Sequence, residues 1–340
     1  MLPYVSAQAA PPARDPYFES ARGAWVLSRY RDVMAALREP NLWPPGARGE
    51  DQSLTRDELG RLRLRGDVQE ALSASRVAVW ECEARRLAHA AAAQIEPGSP
   101  VDLLDGFARP ICLDLALLVM GAAPADRERL AALGDRVFEA TGAPDDSPLR
   151  PQAAEATAEL DRFFQHGPMP MGEPTFVAIS QTLPRLLANG WLALYGCPSE
   201  VARLRAQPDL MPNAVEELLR HSGIVRRIWR VAKDEVDLGA VRIARDERAM
   251  LLLASANRDP EQFPEPERLD LTRRFASHVA LGMGRNSCVG AIVVRMVYAA
   301  TTAALVENFP IAELPHEPKW CAGSGYCFPK HLTARLFRAE

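Results

Sequence analysis

Residues 277–295 read SHVALGMGRNSCVGAIVVR and form the most informative stretch of the chain. Three glycines, Gly282, Gly284 and Gly290, surround Cys288, and an apolar stretch without Gly or Pro follows them. Glycine lets a backbone adopt positive φ and approach a bulky group closely. A thiolate at the start of a helix is stabilised by the free N–H groups and by the helix dipole. The pattern therefore favours a cysteine held as a thiolate against a large, flat ligand.

Two plainer interpretations of Cys288 stay open at this level. Free cysteine is among the most often buried residue types, so a buried thiol in a glycine turn is the commoner origin of an isolated cysteine. A dinucleotide-binding loop fits less well, because five residues separate the G-x-G pair from the next glycine and no clear strand precedes it. Motifs elsewhere in the chain are needed to distinguish these two interpretations from a ligand-binding thiolate.

Composition limits the class of protein. The chain has 340 residues, of which 48% are hydrophobic and 25% charged, as in a globular protein with a sizeable core. Its 40 basic and 44 acidic residues give a net charge of −4, which argues against a nucleic-acid partner held by phosphate neutralisation. No stretch approaches the ~20 apolar residues of a membrane span, and the N-terminus lacks a signal-peptide pattern. We therefore expect a cytoplasmic protein without a membrane or nucleic-acid partner.

The cysteines agree with a reducing compartment. They are Cys82, Cys112, Cys197, Cys288, Cys321 and Cys327. No two of them are spaced C-x-x-C, and they are scattered over a long chain. This is neither a disulfide framework nor a zinc ribbon, so free thiols are expected.

Most of the chain has helical character. The predicted helices cover residues 76–95, 154–165, 176–195, 199–206, 212–221 and 287–306. Pro184 should kink the third of these, because proline lacks the N–H of a regular helix. Strand signals are fewer: residues 228–232 and 236–243 resemble a hairpin, and 249–254 one more strand. Alternating βαβ units are absent, which disfavours a doubly wound sheet, so we expect a single mainly α domain, 1–340, with small β-sheets.

The cysteine segment resembles a known motif. Residues 281–290, LGMGRNSCVG, resemble the haem-thiolate loop of cytochromes P450, which usually reads F-G-x-G-x-(His/Arg)-x-Cys-x-Gly. In that loop Cys288 falls on the axial iron ligand. Leu281 replaces the usual Phe, and Asn286 replaces the basic residue two positions before the cysteine, so its amide can donate a hydrogen bond but carries no charge.

Two further motifs agree with this loop in order and distance. AVEELLR, residues 214–220, resembles the E-x-x-R helix and places Glu217 and Arg220 on one helical face. ASANRDPEQFPEPERLDL, residues 254–271, resembles the segment before the haem loop, and Arg268 falls on the arginine that completes a Glu–Arg–Arg cluster. With these three motifs the chain is identified as a member of the cytochrome P450 family.

The resemblance implies a fold and a cofactor. It implies the cytochrome P450 fold, mainly α with small β-sheets, shortened in the lid (F–G–H helix) region, because residues 165–176 match poorly. The implied cofactor is haem b (iron protoporphyrin IX), with Cys288 as its iron ligand. A shortened lid predicts an open distal face, and hence a large organic substrate or one presented by a carrier protein.

The resemblance also implies particular site residues. The residues expected to contact haem are Cys288, Arg230, Arg63, Asn286, Gly282 and Leu281. Arg230 falls on a position that similar proteins use for a haem propionate. Arg63 falls on the arginine of an H-x-x-x-R motif, although Leu59 replaces its histidine.

The central helix of the family carries A-G-x-(Asp/Glu)-Thr, which widens the helix and delivers protons to bound oxygen. The corresponding stretch here is residues 178–182, AISQT, so Gln181 and Thr182 are the implied catalytic residues. Gln181 can orient water but cannot ionise as a carboxylate does. Thr182 has a plainer alternative, a hydrogen bond to its own helix backbone.

The implied function is a haem-thiolate monooxygenase that inserts oxygen into an organic substrate, in secondary metabolism. Electrons would come from a separate ferredoxin and ferredoxin reductase, and Arg273, Arg274, Arg285 and Arg295 would offer a basic docking patch. Gln181 and the shortened distal side favour a second possibility, a peroxygenase or a rearrangement or coupling P450. A third is a P450-like auxiliary binding protein without catalysis.

Overall fold

The computed structural model describes residues 12–45, 66–140, 147–170, 172–274, 277–323 and 325–339. The helices are α1 (Tyr30–Arg38), α2 (Ala74–Ala93), α3 (Arg109–Met120), α4 (Arg127–Glu139), α5 (Leu149–Phe164), α6 (Gly172–Val177), α7 (Leu183–Tyr195), α8 (Pro198–Ala206), α9 (Met211–Ser222), α10 (Leu253–Ala256) and α11 (Ala291–Asn308). The strands are β1 (Tyr17–Glu19), β2 (Ala24–Leu27), β3 (Leu42–Trp43), β4 (Pro100–Asp102), β5 (Ile228–Ala232), β6 (Val236–Asp237), β7 (Arg242–Ile243), β8 (Arg248–Leu251), β9 (Ile311–Glu313), β10 (Trp320–Gly323), β11 (Tyr326–Pro329) and β12 (Thr333–Phe337). A mainly α fold with small sheets is confirmed.

The core is built around one long helical rod. It consists of α6, a π-helical turn at Ala178–Thr182 and α7. All of α7 except Arg185 is buried, as expected for a helix that is apolar on every side. Around the rod, α3 and α4 pack on the π-turn and α9 packs on α7. This central position puts the π-turn next to the functional site.

The π-turn explains the distortion that Pro184 predicts. Pro184 stands at the start of α7, and without an N–H it cannot bond the carbonyl of Ser180 four residues back. The five residues just before α7 form a π-helical turn, a local widening that occurs mostly as single turns inside α-helices and frequently at functional sites. The helix is therefore widened rather than sharply bent.

The strand pairing departs from the sequence prediction. A hairpin between residues 228–232 and 236–243 is wrong, because β5 pairs with β8 and β3 in a five-stranded sheet of order β1-β2-β8-β5-β3. β6 and β7 pair only with each other, across a turn in which Gly239 adopts φ +80°. The strand predicted at 249–254 ends at Leu251 and gives way to α10.

The shortening predicted for the lid region falls between α5 and α6. Helices α4 and α5 are present and pack on each other. Only residues 165–171 then connect Phe164 to Gly172, where the central rod begins.

Among the described residues, Ala291–Asn308 is the one helix long and apolar enough to cross a membrane. More than half of it is buried inside the protein, and it packs against α2 and α9. It is therefore a core helix of this fold.

A buried ion cluster ties α9 to the segment that follows α10. Arg220 donates from Nε and Nη2 to the two carboxylate oxygens of Glu217, at 2.7 and 2.8 Å. The third member is Arg273, whose Nε lies 3.1 Å from Glu217 Oε1. The prediction of Arg268 is wrong: its side chain is exposed and pairs with Glu265, and it takes part only through its carbonyl, which accepts from Arg273.

This difference predicts unequal effects for two leucine substitutions. Arg273→Leu should destabilise the protein by about 1–3 kcal/mol, because it removes a charged hydrogen bond from the buried Glu217 carboxylate. Arg268→Leu should stay within about 0.5 kcal/mol of the parent, as is usual for an exposed ion pair. Urea unfolding of both variants checks this, and equal losses would contradict the assignment of Arg273.

Candidate functional site

A cavity of about 560 Å³ lies between the central rod and the cysteine loop. Its walls come from the π-turn and α7, from the segment after α9, from β5, and from residues 280–289. Most lining side chains are aliphatic, so the space suits a largely apolar ligand. Ile224, Val225 and Ile228 after α9 and Tyr326 on β11 also line it.

The cysteine loop presents Cys288 to this cavity. The Cys288 N–H donates to the Leu281 carbonyl at 2.7 Å, closing the loop upon itself. The Cys288 side chain is exposed rather than packed in the core, and it lines the cavity together with Leu281 and Gly282. Helix α11 begins at Ala291, three residues later. The arrangement places a thiol next to the N-terminal end of a long helix, where a thiolate is favoured.

Two glycines shape the loop. Gly282 and Gly284 have φ +70° and +69°, a left-handed conformation that favours glycine. A Cβ on Gly284 would lie 2.9 Å from the Leu37 carbonyl oxygen on α1. The loop therefore docks on α1 at a distance that only glycine permits.

A buried cation faces the same cavity. Arg230 on β5 is 6% exposed and lines the cavity. Burial lowers its pKa to about 10, so it still carries its charge at neutral pH. Its Nη1 donates to the neighbouring Trp229 carbonyl at 2.8 Å, and in the described part of the chain no carboxylate forms an ion pair with it. A buried charge needs a partner, and the anionic edge of a ligand would provide one.

A second cation, Arg285, also lines the cavity. Its guanidinium carbon lies 4.2 Å from the ring centroid of Trp43, and Lys233 Nζ lies 3.8 Å from the same centroid. Such cation–π contacts hold a charged group in a fixed direction. The neighbouring Asn286 lines the cavity as well.

The two predicted catalytic residues face different surroundings. Thr182 lines the cavity. Gln181 is buried outside it: Arg185 Nη1 donates to its side-chain Oε1 at 3.1 Å and to its carbonyl at 2.6 Å. A Cβ on Gly134 would lie 3.1 Å from Gln181 Nε2, so the amide faces α4. The prediction of a Gln181 side chain at the reacting centre is therefore corrected.

The basic docking patch is corrected too. Arg273 is bonded to Glu217, Arg285 stacks on Trp43, and Arg295 is paired with Glu216. Arg274, the fourth predicted arginine, is exposed. Arg63 and Leu59, the remaining predicted positions, lie outside the described residues.

A polar network that the sequence did not indicate anchors the cysteine loop. Burial alone would raise the pKa of Glu216, but hydrogen bonds from His278 and Arg295 outweigh it and hold that pKa at about 2. His278 Nδ1 accepts from the Ala280 N–H at 3.2 Å, so Nε2 carries the proton given to Glu216 at 3.0 Å. The position of Glu216 beside the E-x-x-R motif was the available signal.

Comparisons with known proteins find similar proteins in one family. A family model described as Cytochrome P450 matches residues 203–322. Cytochrome P450 107B1 of Saccharopolyspora erythraea is 28% identical over 87% of this chain and 85% of its own length. Cytochrome P450 monooxygenase PikC of Streptomyces venezuelae is 38% identical over 44% of this chain and 36% of its own.

A solved structure has the same fold. P450BioI, in complex with an acyl carrier protein ligated to hexadec-9Z-enoic acid, superposes with a TM-score of 0.83 at 22% identity, covering 98% of this chain and 97% of that one. The family model, the relatives and the fold agree with one another and with the cysteine loop. The chain therefore belongs to the cytochrome P450 family and is a haem-dependent oxidoreductase of the monooxygenase type.

Proposed function

We propose that the cavity binds haem b with Cys288 as the iron ligand, and that the enzyme inserts oxygen into an organic substrate held above it. The observation that carries this proposal is the meeting of the exposed Cys288 side chain and the buried Arg230 in one apolar cavity. A macrocycle with an apolar body and anionic edge groups matches that donor set. Positive φ at Gly282 and Gly284 supports it, since a backbone without Cβ atoms can approach a flat ligand closely.

Each residue then has a distinct task. When bound, the haem supplies the iron at which dioxygen is activated, and a cysteine thiolate ligand adds electron density that favours O–O cleavage. Arg230 and Arg285 would hold the two propionates, and the Asn286 amide could donate a hydrogen bond beside them. The aliphatic walls exclude water, which strengthens these charge pairs.

Thr182 is the proposed proton-handling residue of the central rod. Thr182 lines the cavity, and its hydroxyl, which can both donate and accept a hydrogen bond, could hold a water molecule there. The side chain of Gln181 supports the π-turn from behind through Arg185. It thus acts on proton delivery only by positioning Thr182.

Electrons come from separate chains in this proposal, a ferredoxin and its reductase, as the family resemblance implies. The relatives support a role in secondary metabolism by their names, which include Nocardicin C N-oxygenase of Nocardia uniformis. The acyl carrier protein bound to P450BioI supports the prediction of a large or carrier-bound substrate.

Spectroscopy of the purified protein tests the proposal directly. Reduction under carbon monoxide should give the thiolate-shifted Soret band, with one haem per chain. A ferredoxin, its reductase and NADPH should form the same band without a chemical reductant. Protein that takes up no haem, or haem without the shifted band, would contradict the proposal.

A peroxygenase is the second candidate, and the orientation of Gln181 favours it. An amide bonded to Arg185 provides no ionisable group for proton delivery, and a peroxide-driven reaction has less need of one. Oxidation of methyl hexyl ketone with hydrogen peroxide, compared with the ferredoxin system, distinguishes the two. Faster turnover with peroxide would support the peroxygenase.

A further inference from the structure

The walls of the cavity fall into a polar part and an apolar part. Charged and polar side chains cluster on β5 and the cysteine loop, where Arg230, Arg285, Asn286, Ser287 and Cys288 lie. On the remaining walls the described lining side chains are aliphatic apart from Trp43, Thr182 and Tyr326. The Trp43 indole N–H is already bonded to the Pro40 carbonyl. Two hydroxyls, those of Thr182 and Tyr326, are therefore left to face a ligand there.

Backbone contacts with residues 224–226 hold Tyr326 in place, and we call this set of contacts the backbone clamp. It follows the turn between β10 and β11 and forms a bridge with Val225. On either side, the Arg226 N–H donates to the Gly325 carbonyl at 2.6 Å, and the Cys327 N–H donates to the Ile224 carbonyl at 2.9 Å. The clamp fixes the tyrosine against the segment that follows α9.

Close packing at Gly325 reinforces the clamp. Gly325 has φ +101°, and a Cβ there would lie 2.8 Å from the Arg227 carbonyl oxygen. Further along β11, Phe328 packs on Phe138 of α4 with ring centroids 5.7 Å apart. The strand is thus fixed at both ends, and the Tyr326 ring has little freedom to leave the cavity wall.

The Tyr326 hydroxyl is available to a ligand. No residue in the described part of the chain shares a hydrogen bond with it. Burial raises the pKa of the phenol, so it stays protonated and neutral over the working pH range. A neutral phenol at an apolar wall is a hydrogen-bond donor that lacks a protein acceptor.

We propose that Tyr326 is a specificity-determining residue, which donates a hydrogen bond to a neutral oxygen of a largely apolar substrate, such as a ketone, ester or ether. The proposal rests on the haem cavity proposed above and adds the class of substrate. An anionic end group is disfavoured, because the described residues offer no cation on these walls and a buried carboxylate needs one. Arg185 cannot pair with such an anionic group, because it lies behind the cavity, where it contacts Gln181 and Phe138.

Three probes of equal chain length test the class of substrate: methyl hexyl ketone, octane and octanoate. Their dissociation constants are measured by equilibrium partitioning on the haem-loaded protein, which requires no turnover and no spectral change. In the wild-type protein the hydrogen bond should strengthen binding of the ketone about three- to tenfold relative to a protein without the donor, whereas octane has no acceptor and should gain nothing from it. Octanoate should bind more weakly than the ketone.

The variant Tyr326→Phe removes one oxygen atom and keeps the ring. It should weaken binding of the ketone about three- to tenfold relative to the wild-type protein and leave the affinity for octane unchanged. Tyr17→Phe, which removes a phenol oxygen on β1 outside the cavity, is the matched control and should leave both affinities unchanged.

An unchanged affinity for the ketone in Tyr326→Phe overturns the proposal, as does tighter binding of octanoate than of the ketone or a wild-type protein that binds none of the probes. If the thiolate-shifted Soret band is present in these cases, only the role of Tyr326 fails. A protein without that band fails at the haem site itself, so the two failures are distinguished.

Discussion

Cys288→Ser should abolish the thiolate-shifted Soret band of the reduced carbon monoxide complex completely. A serine hydroxyl does not ionise near neutral pH and supplies no sulfur ligand, whereas a cysteine beside a helix N-terminus is disposed to form the thiolate. Haem should still bind, because the proposed contacts of Arg230 and Arg285 with its propionates do not involve the sulfur. Haem content and the Soret position of the same sample therefore separate loss of the cofactor from loss of its ligand.

Cys82→Ser is the matched control. Cys82 is exposed on α2 and does not line the cavity, so its substitution should leave both haem content and the shifted band unchanged. A shifted band that persists in Cys288→Ser would assign the iron to another sulfur and refute the proposed site.

The long helices were predictable from the sequence because their signals are local. The stretch 76–95 corresponds to Ala74–Ala93, and 212–221 corresponds to Met211–Ser222. Runs of good helix formers without Gly or Pro, and a proline near the first turn, specify such segments without reference to the rest of the chain. Prediction there needed no tertiary information.

Pairings between distant segments were less predictable. Arg268 and Arg273 have the same chemistry and lie in one loop, yet only Arg273 turns inward to Glu217. Similarly, β5 does not pair with β6, the next strand in the sequence, but with β8. In both cases the partner is selected by the path of the chain through the core, which local patterns do not encode.

In the candidate site, too, sequence patterns did not predict which side chains face the cavity. The motif aligned both Gln181 and Thr182 with functional positions. The two residues are neighbours in the π-turn, yet only Thr182 lines the cavity, whereas the Gln181 side chain accepts a hydrogen bond from Arg185. Tyr326 was not singled out from the sequence, because the backbone clamp with Ile224–Arg226 that fixes it at the wall joins distant parts of the chain.

Gly190→Ala should destabilise the protein by about 3 kcal/mol or more. Gly190 lies in α7, and a Cβ built there would be 1.5 Å from the Tyr298 hydroxyl oxygen and 2.7 Å from its Cζ. Tyr298 on α11 is fully buried, so its ring cannot move aside without disrupting close packing, and overpacking of this kind outweighs the gain of up to ~1 kcal/mol in helix propensity. Urea unfolding of the haem-loaded protein measures the loss.

Two further variants show whether the contact with Tyr298 is the cause. Gly106→Ala is the matched control, because the nearest atom to its added Cβ is Val101 Cγ2 at 3.7 Å, and it should be close to neutral. Tyr298→Leu removes the obstructing ring, so adding it to Gly190→Ala should restore part of the lost stability, and the two substitutions should be strongly non-additive. If Gly190→Ala were as stable as the parent, α7 and α11 would have to pack less closely than the structure shows. The cavity wall that α7 forms would then also lie elsewhere than in the structure, because Leu183 and Leu186 on the same helix line the cavity.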